Sequence, residues 1–172
     1  MIKNDELLFP AGAEISVIPV LQGEGLPKID ESELPETIPI LALRNVVLFP
    51  GTIYPITIGR EKSKRLIADA EKHGTFIGAV PQLDVNVEEP GEEDLYRFGT
   101  VAKVIKTLDM PDGTVTAILQ SIKRIELLTV VDYDPYIKGI VRYLDDIITK
   151  ENSTDLKGIA STIKDKASQI MA

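Results

Sequence analysis

The tetrapeptide Met110-Pro111-Asp112-Gly113 separates two apolar-rich runs and leaves the chain around it little freedom. Pro111 favours a turn, and Gly113 supplies a position with φ > 0. Residues 99–109 and 114–122 are therefore expected to fold back on one another as a β-hairpin. In the second run Val115, Ala117 and Leu119 alternate with Thr114, Thr116 and Ile118, the two-residue period of a strand. Further strands are expected at 39–43 and 53–59, separated by the turn signal Pro50-Gly51, at 75–80, and at 123–131 and 136–144. One helix interrupts them. Across residues 60–73 Ser63, Leu66, Ile67 and Ala70 fall at i, i+3, i+4 and i+7. Glu61 sits in the first turn, Lys72 and His73 in the last, and Gly74 just beyond, which suits the helix dipole and a glycine cap. The reading is a mainly β domain with one early helix, closed as a small, mostly antiparallel pseudo-barrel.

Punctuation sets the boundaries. Residues 1–37 hold Pro10, Pro19, Pro27 and Pro35 among three glycines. They also carry eight of the 27 acidic residues but two of the 19 basic ones. Such a stretch forms no long helix and reads as an acidic arm. Its one apolar patch, Ile15–Leu21, contains Pro19, which confines it to a sheet edge; it is expected to dock as an extended segment. Residues 38–147 form the β domain. Residues 148–172 read as a linker and a helix, with Leu156, Ile159, Ile163 and Ile170 recurring among Lys, Asp and Ala. That helix has little partner sequence for its apolar side and looks like the start of a helical subdomain.

The residue inventory narrows the chemistry. Cysteine is absent, so disulfides and thiolate metal sites are out and an intracellular compartment is expected. No apolar run of about 18 residues exists to span a membrane. The net charge of −8, without a basic stripe, disfavours nucleic-acid binding. There is no phosphate-binding G-x-x-x-x-G-K-[ST] and no dinucleotide fingerprint. His73 is the only histidine, and beside Gly74 at a helix end it reads as a surface residue rather than a catalytic base. The run Asp84-Val85-Asn86-Val87-Glu88 begins like a calcium loop, but Glu89 replaces the turn glycine and Leu95 the twelfth-position glutamate. The acidic loop 84–94 is read as solvated. Ser63-Lys64 and Ser121…Lys123 are too ordinary as surface neighbours to make a nucleophile–base pair. No catalytic, cofactor-binding or metal-binding residue is assigned.

Three blocks carry a family resemblance. Leu43-Arg44-Asn45-Val46-Val47-Leu48-Phe49-Pro50, then Pro55, then Gly59-Arg60-Glu61-Lys62-Ser63 resemble the opening of the Lon protease N-terminal domain. Glu89-Pro90-Gly91 through Asp94-Leu95-Tyr96 to Phe98-Gly99-Thr100-Val101-Ala102 resembles its second block, and Leu108 to Val115, with Pro111 and Gly113, its hairpin. Order and spacing agree across residues 39–146. The resemblance implies a PUA-like pseudo-barrel in which Arg44, Phe49, Pro50, Gly59, Arg60, Glu61, Lys62, Gly99, Pro111 and Gly113 maintain the fold. In physical terms Phe49-Pro50-Gly51 turns the chain, Gly59 lets strand pass into helix, and Gly99 and Gly113 stand where a side chain would clash.

The resemblance also implies a function. Such a domain binds unfolded, damaged or degron-bearing proteins and supports assembly of a hexameric ATP-dependent serine protease in the bacterial cytoplasm. ATP and magnesium are expected only in an ATPase domain beyond Ala172. The apolar residues Ile53, Tyr54 and Ile56 on the barrel surface are candidates for the client contact. A stand-alone Lon-like binding protein is the alternative. There a phenylalanine, an acid and an Arg-Tyr pair tend to replace Gly59-Arg60-Glu61-Lys62-Ser63, so the form present here resembles the protease-attached class. A small carboxylate hydrolase has only composition behind it.

Overall fold

A computed structural model describes residues 34–146 and a helix at 153–171; the arm patch Ile15–Leu21 and the linker at 147–152 lie outside the described residues. Six strands and one long-range helix pack in the order β1 (Thr37–Leu43), β2 (Ile53–Ile58), α1 (Glu61–His73), β3 (Phe76–Pro81), β4 (Phe98–Asp109), β5 (Val115–Asp132) and β6 (Lys138–Leu144). The second helix, α2, spans Ser153–Met171. The sheet runs β2-β5-β4-β3-β1-β6, and an extra pairing of β6 with β5 closes five of the strands into a ring. Only the β1–β3 pairing is parallel; every other strand pair is antiparallel. β2 hangs on the outer part of β5, and Pro55, which has no N–H to donate, sits on that edge strand.

The hairpin at 110–113 forms as its residues require. Met110 N–H donates to Thr114 O at 2.9 Å, Gly113 N–H donates to Met110 O at 3.0 Å, and Gly113 has φ +81°. One expectation is corrected: the strands read at 114–122 and 123–131 are a single 18-residue strand, β5. The break in its pattern is a bulge. Ala102 pairs with Ser121 and Val101 with Lys123, so Ile122 is an extra residue with no partner on β4. An extra residue reverses which face the following side chains occupy. Ala117 and Leu119 accordingly point into one core, and Ile125 and Leu127 into another.

Those two cores divide the molecule. The first is the cluster beneath α1, where Leu66, Ile67 and Ala70 meet Leu41, Leu43, Ile77 and Leu119. The second fills the opposite side of the ring with Ile38, Ile40, Val80, Val101 and Val141. β1 serves both, since Ile38 and Ile40 face one core and Leu41 and Leu43 the other. α1 begins one residue later than the sequence suggests, with extended Arg60 before it. It ends at Gly74, whose φ of 65° lets its N–H reach Ala70 O. His73 is exposed and its Nδ1 lies 2.8 Å from Asp69 O, a local helix-end contact.

The ring carries one buried charge. Glu126, 4% exposed, is held by Arg97 Nε at 2.6 Å and Arg142 Nε at 3.0 Å. The hydrogen bonds from Arg142, and then Arg97, hold its carboxyl below the ordinary range, outweighing the opposing effect of burial. A lowered folded-state pKa contributes stability above the ordinary carboxylate pKa and loses it as pH falls through the folded value. Glu126→Gln should therefore melt below the wild type at pH 7, with the gap narrowing steadily once the pH drops under about 4.5. Parallel melting curves from pH 7 to pH 3 would show that the ionised carboxylate adds nothing.

Candidate functional site

Two arginines separated in sequence meet at the start of α1. Arg44 directly follows β1, and Asn45, in the left-handed region at φ 56°, turns the chain immediately behind it. Arg60 stands between β2 and α1. Both guanidinium groups donate to the carbonyl of Val87 at 3.2 Å, so the loop after β3 is drawn down over them. Arg60 also donates to the side-chain oxygen of Gln82, which is itself buried and donates to Asp84 O and Val87 O. Arg44 pairs with Glu88 at 3.0 Å, and Lys62 with Glu89 at 2.8 Å. Among the described residues Arg60 joins no ion pair. Burial, and then the neighbouring charge of Arg44, push its pKa down, with Glu88 opposing in part. The Nε atoms of both arginines are buried without a partner.

Beside this pair opens a cleft of about 590 Å³ between the ends of β1 and β2 and the first turn of α1. Its walls include Leu43, Val46, Tyr54, Ile56 and Ile58, with Arg44, Arg60, Ser63 and Glu88 at the polar end. Of the surface candidates read from sequence, Ile56 is corrected: it is a core residue at 9% exposure. Tyr54 is half-buried against the same core, and Ile53 is partly covered. Alternation in the short strand β2 turns Ile56 and Ile58 inward together, so an outward apolar row does not exist there.

Exposed apolar side chains gather elsewhere. Thr100 Oγ1 donates to Leu48 O at 2.7 Å, fixing the β1–β2 loop across β4. Tyr96 N–H donates to Pro81 O at 2.9 Å, and Leu83 N–H to Asp94 O at 2.8 Å. These bonds hold the loop, the end of β3 and the approach to β4 side by side. On those segments Val47, Phe49, Leu83, Tyr96 and Phe98 are 50–61% exposed. Phe49, which the sequence reading placed in the turn between strands, thus presents its ring to solvent. Sequence reasoning missed this set. The available signal was the run Val46-Val47-Leu48-Phe49, in which a short loop can bury only part of four apolar residues.

The remaining motif residues divide by role. Glu61 is exposed and pairs with Lys64, Pro50 lies in the turn before Gly51, and Pro111 caps the hairpin tip. A Cβ on Gly99 would lie 2.5 Å from Ala79 O, so close backbone approach explains that glycine. Gly113 is corrected, since a Cβ there meets nothing and its positive φ is the reason for glycine. Gly59 has neither a clash nor a positive φ, so passage from strand to helix does not require it. Asp84, first in the calcium-like run, spends its Oδ1 on the N–H and Nδ2 of Asn86, both at 2.9 Å. Among the described residues no three His, Asp or Glu side chains group as a metal site. No helix among them is long and apolar enough to cross a membrane.

Residues 37–172 match the family described as the ATP-dependent protease La (LON) substrate-binding domain. The chain belongs to the Lon substrate-binding domain family. It is 46% identical over 145 residues to a Lon protease of Porphyromonas gingivalis, covering 84% of this chain and 17% of that protein. To a Lon protease of Flavobacterium johnsoniae it is 41% identical over 159 residues, 92% of this chain and 20% of that one. The chain thus spans about a fifth or less of these relatives. Among solved structures it resembles the N-terminal domain of a Mycobacterium avium complex Lon protease, with a TM-score of 0.59 at 15% identity, covering 78% and 72% of the two chains. It also resembles a Lon N-terminal domain protein from Xanthomonas campestris, with a TM-score of 0.51 at 20% identity, covering 68% and 67%. At such identities the likeness concerns the Lon domain fold alone.

Proposed function

We propose that this domain is the client-binding module of a bacterial, cytoplasmic ATP-dependent serine protease, and that it takes unfolded or damaged proteins through exposed apolar surface. It works without a nucleotide or metal of its own, and it supports assembly of the hexamer whose other domains unfold and cleave the client. The observation that carries the reading is the family membership of residues 37–172. The exposed set Val47, Phe49, Leu83, Tyr96 and Phe98 supports it, because a receptor for many clients must read general hydrophobicity; specific polar readout rejects most of them. Each single contact is weak, since a flexible client loses chain entropy on capture, and several copies raise avidity in an oligomer.

The isolated chain should bind a reduced, unfolded client with a dissociation constant of roughly 10 μM to 1 mM. NMR titration should move the amides of residues 47–49, 83 and 96–98 as one contiguous set. The pair Phe49→Ser and Phe98→Ser should weaken binding several-fold with little loss of stability, because both rings are already more than half exposed. Unchanged affinity in that double variant would remove this surface from the client contact.

A further inference from the structure

We infer that the cleft between β1, β2 and the start of α1 receives the free C-terminal carboxylate of an unfolded chain whose last residues are apolar; this rests on the client-binding reading above. Two cations, Arg44 and Arg60, stand at one end of the cleft, and a single carboxylate, Glu88, lies in ion-pair contact there, on Arg44. Among the described residues Arg60 hydrogen-bonds only to neutral oxygens, those of Gln82 and Val87. Glu88, seated on Arg44, offsets the charge of the half-buried Arg60 guanidinium only in part, and the planar fork of arginine matches the two oxygens of a second carboxylate. Glu88, 76% exposed, shows a carboxylate seated on the neighbouring Arg44 at this end of the cleft.

The walls define the rest of the ligand. Val46, Tyr54 and Ile56 line the space next to the arginines, so a bare small anion leaves the apolar part of the cleft unfilled. Its volume of about 590 Å³ lies within the range of small-ligand sites and holds a chain end of a few residues. A chain end brings one carboxylate, one apolar side chain and backbone on a single side. An internal Asp or Glu brings polar backbone on both sides, and those groups find few partners against apolar walls. Gly59 also lines the cleft, and it is the motif glycine for which the fold gives neither a steric nor a conformational reason. Clearance for a ligand gives it one.

The test uses the 172-residue chain, labelled with ¹⁵N, and one eight-residue peptide ending Val-Leu-Ala-Leu in three forms. These are the free acid, the C-terminal amide, and the amide with Asp replacing the Ala. The free acid should bind at least about tenfold more tightly than the amide, and should move the amides of Tyr54, Gly59 and Arg60. Arg60→Gln should bring acid and amide to equal affinity; should that variant fail to fold, the acid–amide comparison on the wild type decides alone. Equal affinities for acid and amide in the wild type overturn the inference, as does an Asp-bearing amide that matches the acid. If all three peptides fail while a reduced, unfolded protein still binds at residues 47–49 and 96–98, chain-end capture falls and client binding stands. If that protein fails as well, both fall.

Discussion

Replacing Leu66 with Ala should lower the stability of the domain by about 2–5 kcal/mol, the range for emptying a large aliphatic side chain from a close-packed core. Leu66 is 1% exposed and sits on the buried stripe of α1 with Ile67 at 0% and Ala70 at 1%. It shares its core with residues from five strands, including Leu41, Ile58, Ile77, Val104 and Leu119, which cannot all relax into the vacated space. Two positions earlier, the partly covered Lys64 reaches back to the exposed Glu61 at 2.7 Å, a pair off the buried stripe. Lys64→Ala should therefore cost under about 1 kcal/mol. Urea unfolding at pH 7 separates the two substitutions. Equal costs would mean that α1 does not anchor the barrel through this stripe.

That helix was readable because its pattern and its packing obey one period. Leu66, Ile67 and Ala70 are local in sequence, and the face they define is set by 3.6 residues per turn before any partner is known. β5 was harder for the converse reason. Its alternation stops after Ser121, where the bulge at Ile122 moves the odd-numbered residues from one core to the other. Nothing in the residues 121–123 distinguishes an unpaired residue from a break between strands; only the partner strand β4 does. The burial of Ile56 was hidden for a similar reason. Ile53, Tyr54 and Ile56 read as an apolar edge, but which side of a six-residue strand is covered depends on the core it shares with α1 and the other strands.

The arginine cleft was beyond reach of sequence reasoning, although both of its cations lie in recognisable motifs. Arg44 and Arg60 converge on Val87, which is 43 residues from the first and 27 from the second. The loop joining them is acidic and reads as solvated, and for Glu89 that is close to the truth, since it stays largely exposed while pairing with Lys62. The sequence shows the charges; the approach of the loop to the end of β1 and the start of α1 decides which cation keeps a partner. Arg60 is left with neutral oxygens because Gln82, buried behind it, is an amide rather than an acid.

Three glycines from the recognised motifs should respond to alanine in three different degrees, and the first carries the second large effect. Gly99→Ala places a Cβ 2.5 Å from the carbonyl oxygen of Ala79 and 2.9 Å from a Val80 methyl, so backbone of the paired strands β3 and β4 must separate. Because a carbonyl in a strand pair cannot rotate aside as a flexible side chain does, the cost should reach about 3 kcal/mol or more, the top of the overpacking range. Gly113→Ala meets no atom within 4 Å but holds an L-residue at φ +81°, for about 1–2 kcal/mol. Gly59→Ala meets neither obstacle and should change stability by less than about 0.5 kcal/mol. Its effect belongs to binding, where the added methyl encroaches on the cleft beside Arg60. Chemical denaturation of the three variants gives the order directly. A Gly59→Ala domain as unstable as Gly99→Ala would return Gly59 to the barrel and take from the cleft one of its supports.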